Sequence, residues 1–397
     1  MNTLAIIFWF FISIIFYSYL GYGIVLYILV KIKEKFYPEL ILSNNRYAPM
    51  VSFIIPCYNE ASIISAKIKN TQYLDYPLDK IQIIIITDGS TDGTEKIVSS
   101  FLNVALLHRN ERKGKSAAVN RAVAYADGDI IIVSDANTAL NPDAIKKMMR
   151  HYVDPMVGAV SGEKRIQLEE KENAAGAGEG IYWKYESLLK NLDSRLLTMV
   201  GAAGELFSFR KHLFNRIEED TILDDFMLSM RITEKGYLVK YEPEAVAVET
   251  SSVNTKEELK RKIRICAGGW QAMSRLKDAL NFCKHPLLTF QYVSHRVLRW
   301  TLAPLVLFLL LPLNIIMANQ DLFYANALIV HLSFYAAASL GWIMENRSIR
   351  IKIFFVPYYF LVMNYAALAG YFRFMQGKQS AAWERSERKI EITKQAA

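Results

Sequence analysis

The chain has 397 residues, 52% of them hydrophobic, and 47 Lys and Arg against 39 Asp and Glu give a formal net charge of +8. That length holds a catalytic domain plus accessory segments, and the hydrophobic share lies above the usual soluble range. Cys57, Cys266 and Cys283 are too scattered for a disulfide framework or a zinc site. The basic residues crowd beside apolar runs (Lys31 to Lys35, Arg296, Arg299, Arg347, Arg350, Lys352), so anionic lipid rather than nucleic acid is the implied partner.

In chain order, Leu4 to Val30 contains no charged residue and is long enough to cross a bilayer as a helix. It lacks the basic start and small-residue cleavage site of a secretory signal, and so reads as a retained anchor over residues 1–31. Lys31, Lys33 and Lys35 follow at once, marking the cytoplasmic end. The domain after it is therefore expected in the cytosol, beneath the plasma membrane of a prokaryote.

A polar connector runs to Pro49. Strand and helix patterns then alternate: VSFIIP, a helix from about Ala61, IQIIIIT, a helix from about Thr91, VALLH, a helix from about Lys115, and IIIVS. This order predicts an α/β doubly wound, mostly parallel sheet in a domain spanning about residues 48–280. In such sheets ligands bind outside the carboxyl ends of the strands. Asp88, after the second strand, and Asp135 and Asn137, after IIIVS, thus rim one crevice. Pro56 is expected to stop the first strand, Glu60 to open its helix, and Asp92 and Thr94 to cap the helix after TDGSTDGT.

From Val157 the rhythm changes. VGAVSG and ELFSFR read as further strands, separated by the glycine-rich NAAGAGEGIYW and a helical stretch. A helix from about Asp224 to Lys235 is stopped by Gly236. Thr255 to Leu276 forms a longer helix opened by a Thr255/Glu258 capping box. Phe290 to Trp300 alternates apolar with basic residues and reads as an interfacial helix.

Taken together, IPCYNE, ITDGSTDGT, RNERKGKSAAVNRA, SDANT, GELFSFR, LDDFMLSMR and RKIRICAGGW resemble the family 2 glycosyltransferases. These are inverting enzymes of GT-A fold, and the likeness is to their membrane-anchored, polysaccharide-synthesising branch. It covers about Val51 to Leu276. The resemblance implies a nucleotide-sugar donor, expected to be UDP-linked, with Pro56, Tyr58 and Glu60 on the donor side. Asp88 would read the uracil and ribose, and Lys115 would lie near base and diphosphate. Asp135 would hold Mg²⁺ or Mn²⁺ against the diphosphate, with Asn137 where the family has a second acid; an amide oxygen can coordinate but brings no charge.

LDDFMLSMR matches the family's base motif in spacing. Asp225 would take the acceptor hydroxyl's proton, and Asp224 stands in for the usual Glu. Gly204 and Glu205 resemble the acceptor-side loop. In RKIRICAGGW only Arg264 fits the family's QxxRW signature, since Arg261 replaces its Gln and Ile265 its Trp. Arg264 and Arg261 are candidates to stabilise the departing diphosphate, and Trp270 to replace the missing ring.

Thr301 to Gln320, Leu322 to Met344 and Ile353 to Phe372 are about three further spans within 286–375, and residues 376–397 form a basic tail. Strict alternation puts that tail outside, whereas the resemblance keeps it near the cytosolic face. The expected acceptor is a growing saccharide or lipid-linked glycan, with a secretion or assembly partner. The rival readings are a polyprenyl-phosphate glycosyltransferase and a non-catalytic nucleotide-sugar sensor or assembly subunit.

Overall fold

A computed structural model describes residues 3–37, 47–167, 176–250, 255–347 and 351–377. The chain opens with α1 (Thr3–Phe16) and α2 (Tyr22–Phe36), joined through a π-helical turn at Tyr17–Gly21. The strands are β1 (Val51–Cys57), β2 (Ile81–Asp88), β3 (Ala105–Arg109), β4 (Ile130–Val133), β5 (Thr138–Leu140), β6 (Val157–Gln167), β7 (Phe207–Arg210) and β8 (Leu238–Thr250). Between them run α3 (Ile64–Gln72), α4 (Thr94–Ser99), α5 (Lys115–Tyr125), α6 (Ala144–Met149), α7 (Gly176–Leu196) and α8 (Asp224–Glu234). After the sheet come α9 (Thr255–Arg275), α10 (Pro286–Tyr292), α11 (Leu298–Trp300), α12 (Leu302–Met317), α13 (Leu322–Glu345) and α14 (Lys352–Met375).

The eight strands form one sheet in the order β3-β2-β1-β4-β7-β6-β8-β5. The expected parallel ladder accounts for β3, β2, β1 and β4, while β7 runs antiparallel to both its neighbours and β5 antiparallel to β8. Helices cover both faces. Phe53, Ile55 and Cys57 of β1 point toward Ile64 and Ile68 of α3 and Met148 of α6, whereas Ile54 joins Ala118 and Ala122 of α5 and Ile232 of α8. Each such aliphatic or aromatic side chain taken from water is worth about 1.5–3 kcal/mol. That explains why the central strands are apolar throughout rather than alternating.

Pro56 lies inside β1, which continues to Cys57. Ile54 accepts from Ser134 N, so the even residues of β1 face β4, and β4 stops pairing at Ile54. The nitrogen of Pro56 thus falls where no ladder bond is required. The first helix begins at Ile64, after a turn, instead of at Ala61.

Strand β8 is long and pairs with β6 across a register shift at Gly162/Glu163. It has no counterpart among the expected strands, because Pro243 and the acids around it break the apolar alternation. The first strip of the glycine-rich segment, the connector at 38–46, the tail beyond 377 and the side chain of Thr255 in the capping box lie outside the described residues.

Among the described residues three helices are long and apolar enough to cross a membrane: Thr3–Phe36, Leu322–Glu345 and Lys352–Met375. Pro286–Trp300 and Leu302–Met317, bent by 46° relative to each other, would together make a fourth as a broken span. The upper half of the N-terminal helix is not lipid-facing all round. Tyr22, Leu26 and Val30 are fully buried against Leu189, Leu192 and Leu196 of α7.

The segment read as interfacial, Phe290–Trp300, is helical with a π turn at Val293–Val297, and its polar residues turn inward. His295 contacts Asp193 at 2.5 Å and Glu186 at 3.1 Å, and Arg296 and Arg299 pair with Glu186 at 2.6 and 3.2 Å. An amphipathic pattern built from a buried ionic network looks, in sequence, like one built for a membrane surface. The end of α14 packs on α9: a Cβ on Gly370 would meet Cys266 and Ala267, and the Tyr371 ring lies tilted against that of Trp270. That end of α14 therefore lies on the same side as α9.

Candidate active site

Because β2 and β4 flank β1, Asp88 and Asp135 emerge on either side of Cys57 and Tyr58. A crevice there is lined by Pro56, Cys57, Tyr58, Asp88, Arg112, Gly114, Lys115 and Ala118. The carboxylate of Asp88 accepts from Lys113 N at 3.0 and 3.1 Å and from Gly114 N at 2.6 Å, which folds the basic loop over the crevice. The Arg112 guanidinium then lies 3.7 Å over the Tyr58 ring, a cation–π contact closing the other wall. Glu60 is positioned through its backbone, which donates to Thr94, while Ala61 N donates to Asp92. Asp92 and Thr94 thus tie the first two loops together as well as opening α4, whose N-cap residue is Gly93.

The second half of the site converges on one ammonium. Lys115, at the start of α5, reaches Asp135 at 2.8 Å. A Cβ added to Gly204 would fall 2.9 Å from Lys115 Nζ and 3.0 Å from Asp225 Oδ2, so both side chains border the small residue at this turn. Burial alone would depress the Lys115 pKa, but Asp135, Asp224 and Asp225 outweigh it and hold the side chain charged. Burial raises the Asp135 carboxyl despite Lys115. Burial, and then the neighbouring Asp224, push Asp225 up to about 7, with Lys115 pulling the other way. A carboxylate poised near neutrality beside a small-residue loop suits proton abstraction.

Gly201 has a φ of +79°, and a Cβ there would run into the Phe226 ring, so the loop before β7 seats directly on α8. Glu205 is bound by Lys164, which also binds Glu249, and burial notwithstanding, Lys164 holds Glu205 well below the usual carboxylate range. Asn137 donates to Glu249 at 2.9 Å. On α9, Arg261 makes a two-pronged pair with Glu258 at 3.0 Å each. Arg264 makes no ion pair among the described residues. Burial lowers its pKa while Asp224 draws it up, which puts it within electrostatic reach of α8. Trp270 is committed elsewhere, its ring 4.7 Å from that of Tyr371.

The oxygen donors suit a divalent cation. Asp135 supplies a carboxylate and Asn137 an amide, both hard ligands appropriate to Mg²⁺ or Mn²⁺. Among the described residues no three His, Cys, Asp or Glu side chains form a closed cage, which fits an ion that completes its shell with water and phosphate oxygens.

Three residues escaped the sequence reading. Arg112, within the basic run, carried no individual signal, and Lys164 and Glu249 are visible only once β6 and β8 pair. A fourth residue missed there is the buried Lys67: it donates to Ser134 Oγ at 2.8 Å, Thr138 O at 2.9 Å and Thr138 Oγ1 at 3.0 Å, pinning the SDANT loop from below. Burial lowers its pKa to about 7, beneath the roughly 10.4 of an unfolded lysine. Between those values the unfolded chain binds the extra proton, so stability rises with pH from about 7 to about 10.4. The thermal midpoint of wild type should climb between pH 7 and 9.5, and that of Lys67→Met should climb less.

Residues 52–217 match the model of the family described as Glycosyl transferase family 2. Residues 52–217 are thus similar to the family 2 glycosyltransferases, and the fold is of GT-A type. Its curated relatives include the poly-beta-1,6-N-acetyl-D-glucosamine synthase of Staphylococcus aureus (strain COL), 30% identical over 239 residues, 57% of this chain and 56% of that protein. The synthase of the same description from Staphylococcus epidermidis is 28% identical over 257 residues, 62% of this chain and 61% of the relative. The chain therefore spans less than two thirds of each relative's length. Among solved structures, a mannosyltransferase of Pyrobaculum calidifontis in complex with GDP-Man and Mn2+ superposes with a TM-score of 0.74 at 23% identity. That match covers 95% of this chain and 100% of the other, and bears on the fold.

Proposed function

We propose that this protein is a membrane-bound inverting glycosyltransferase. It would move a hexosyl or N-acetylhexosaminyl group from a nucleotide-diphosphate donor, UDP-linked, to a growing saccharide or lipid-linked glycan of a cell-surface polysaccharide. The observation that supports this best is the meeting of Lys115, Asp135 and Asp225 at Gly204, next to the crevice walled by Asp88, Tyr58 and Arg112. The relatives named as N-acetylglucosamine polymer synthases favour the same substrate class.

In this reading the crevice holds the nucleoside, with Asp88 fixing the loop over it. Lys115 and Arg264 meet the negative charge that grows on the departing diphosphate. A divalent cation at Asp135 and Asn137 would supply further positive charge there when bound. Asp225 receives the acceptor hydroxyl's proton as that oxygen bonds to the anomeric carbon and the bond from that carbon to the diphosphate breaks on the opposite face. The catalytic domain is cytosolic in this reading, and the protein a multi-pass resident of the plasma membrane.

The test is a panel of radiolabelled nucleotide sugars offered to the full-length protein in detergent with Mn²⁺ or Mg²⁺. Released UDP with label in polymer or oligosaccharide is the expected result. Label in an organic-extractable monosaccharide lipid would replace it with transfer to a polyprenyl phosphate. Donor binding with neither release nor transfer would overturn catalysis altogether.

A further inference from the structure

The third residue of SDANT is an amide where the resemblance leads one to expect an acid, and the structure shows a carboxylate directly behind it. Glu249, 5% exposed on β8, accepts the Asn137 Nδ2 proton at 2.9 Å. Strand β5 makes this possible: Thr138 pairs with Glu249 in the antiparallel β5–β8 ladder, which brings residues 112 apart in sequence side by side. A carboxylate can only accept, so the amide edge facing Glu249 must be the NH₂. The Asn137 oxygen is thereby left as the coordinating edge. The other oxygen of Glu249 is bound by Lys164, which also holds Glu205 on the loop that abuts Asp225.

We infer that Glu249 is a positioning residue for divalent-metal binding. It locks the Asn137 amide with its oxygen available to the cation and supplies, one layer back, the negative charge that the amide lacks. The inference rests on the metal-dependent reading above. Partners of metal ligands commonly orient those ligands and strengthen them as donors, and their loss costs roughly 10–100-fold in affinity. Here the pairing carries a further consequence. An acid introduced at 137 would face Glu249 across hydrogen-bonding distance, where two carboxylates repel unless they share a proton, so the family-like residue is disfavoured by its neighbour.

The experiment is a double-mutant cycle on the full-length protein in detergent, reading Mn²⁺ affinity in the presence of UDP from the electron paramagnetic resonance of free Mn²⁺. Thermal midpoints serve as the folding control. Glu249→Gln leaves Lys164 its contact with Glu205 and should weaken Mn²⁺ binding by roughly tenfold or more. Asn137→Asp alone should also weaken it, despite adding a formal ligand charge. The combination N137D/E249Q should recover wild-type affinity or exceed it, because the glutamine can donate to the new carboxylate.

Additive effects of the two substitutions, whatever their sizes, would overturn the inference, as would tighter binding by N137D alone. If wild type itself bound no Mn²⁺ with UDP, the metal-dependent reading would fall first, so the two failures are separable.

Discussion

Asp225→Asn should lower turnover by roughly 10²–10⁴-fold, the usual contribution of a positioned general base, while the donor's dissociation constant stays within a few-fold of wild type. The two carboxylates Asp224 and Asp225 share the start of α8, and the Asp225 carboxylate is the one that borders Gly204. Its burial, with Asp224 beside it, moves it up to about 7, so the acid limb of the rate profile should fall as pH drops through that value.

The same shift has a stability consequence of opposite sense to that of Lys67. The folded carboxyl holds its proton above the unfolded value of about 3.9, so the native state is favoured at low pH and loses that advantage as pH rises from about 4 to about 7. Asparagine removes the ionisation. At pH 8 the D225N protein should therefore melt above wild type, with the gap closing near pH 4. Retained turnover in D225N would remove the base assignment. An inactive variant that melted below wild type at pH 8 would mean instead that the side chain had a mainly structural role.

How much of this could be seen in the chain alone divides by sequence distance. The parallel half of the sheet was legible because β1, β2 and β4 are runs rich in β-branched residues, two of which lead into Asp88 and Asp135. Asp88 and Asp135 announce themselves at such ends. Strand β8 was not, since Pro243 and Glu244 interrupt the pattern just where the ladder to β6 shifts register. The approach of Asp225 to Lys115 is not readable from either motif, because it depends on a turn at Gly201 and on the missing side chain of Gly204.

The inward-facing His295, Arg296 and Arg299 illustrate the converse. Polar residues at helical spacing indicate a second environment opposite the apolar face, but not whether it is lipid headgroups or the buried carboxylates of Glu186 and Asp193. Trp270 was open to two readings for the same reason, and its tilted ring contact with Tyr371 gives it a packing partner on a neighbouring helix.

Lys115→Met is the substitution that should damage both binding and chemistry. Its ammonium is the one cation shown touching Asp135, and Asp224 and Asp225 contribute to keeping it charged. Removing it leaves three acids facing one another, and uncompensated buried charge of this kind costs about 3–5 kcal/mol. Part of that cost would be avoided by proton uptake. Lys115 pulls the Asp225 pKa down, so its loss should displace the acid limb of the rate profile to higher pH, a change that loss of phosphate contact alone would not produce.

Turnover with saturating donor should drop by roughly 10²–10³-fold, the usual toll for one preorganised group facing developing charge, and the KM for donor should rise as well. The two effects can be told apart by following each profile to its plateau above the acid limb, where Asp225 is ionised. A residual deficit there measures what the ammonium does for the diphosphate, and the part that disappears measures what it does for the base. A profile whose acid limb stays in place would show that Lys115 and Asp225 do not sense each other, and the convergence at Gly204 would then lose its catalytic meaning.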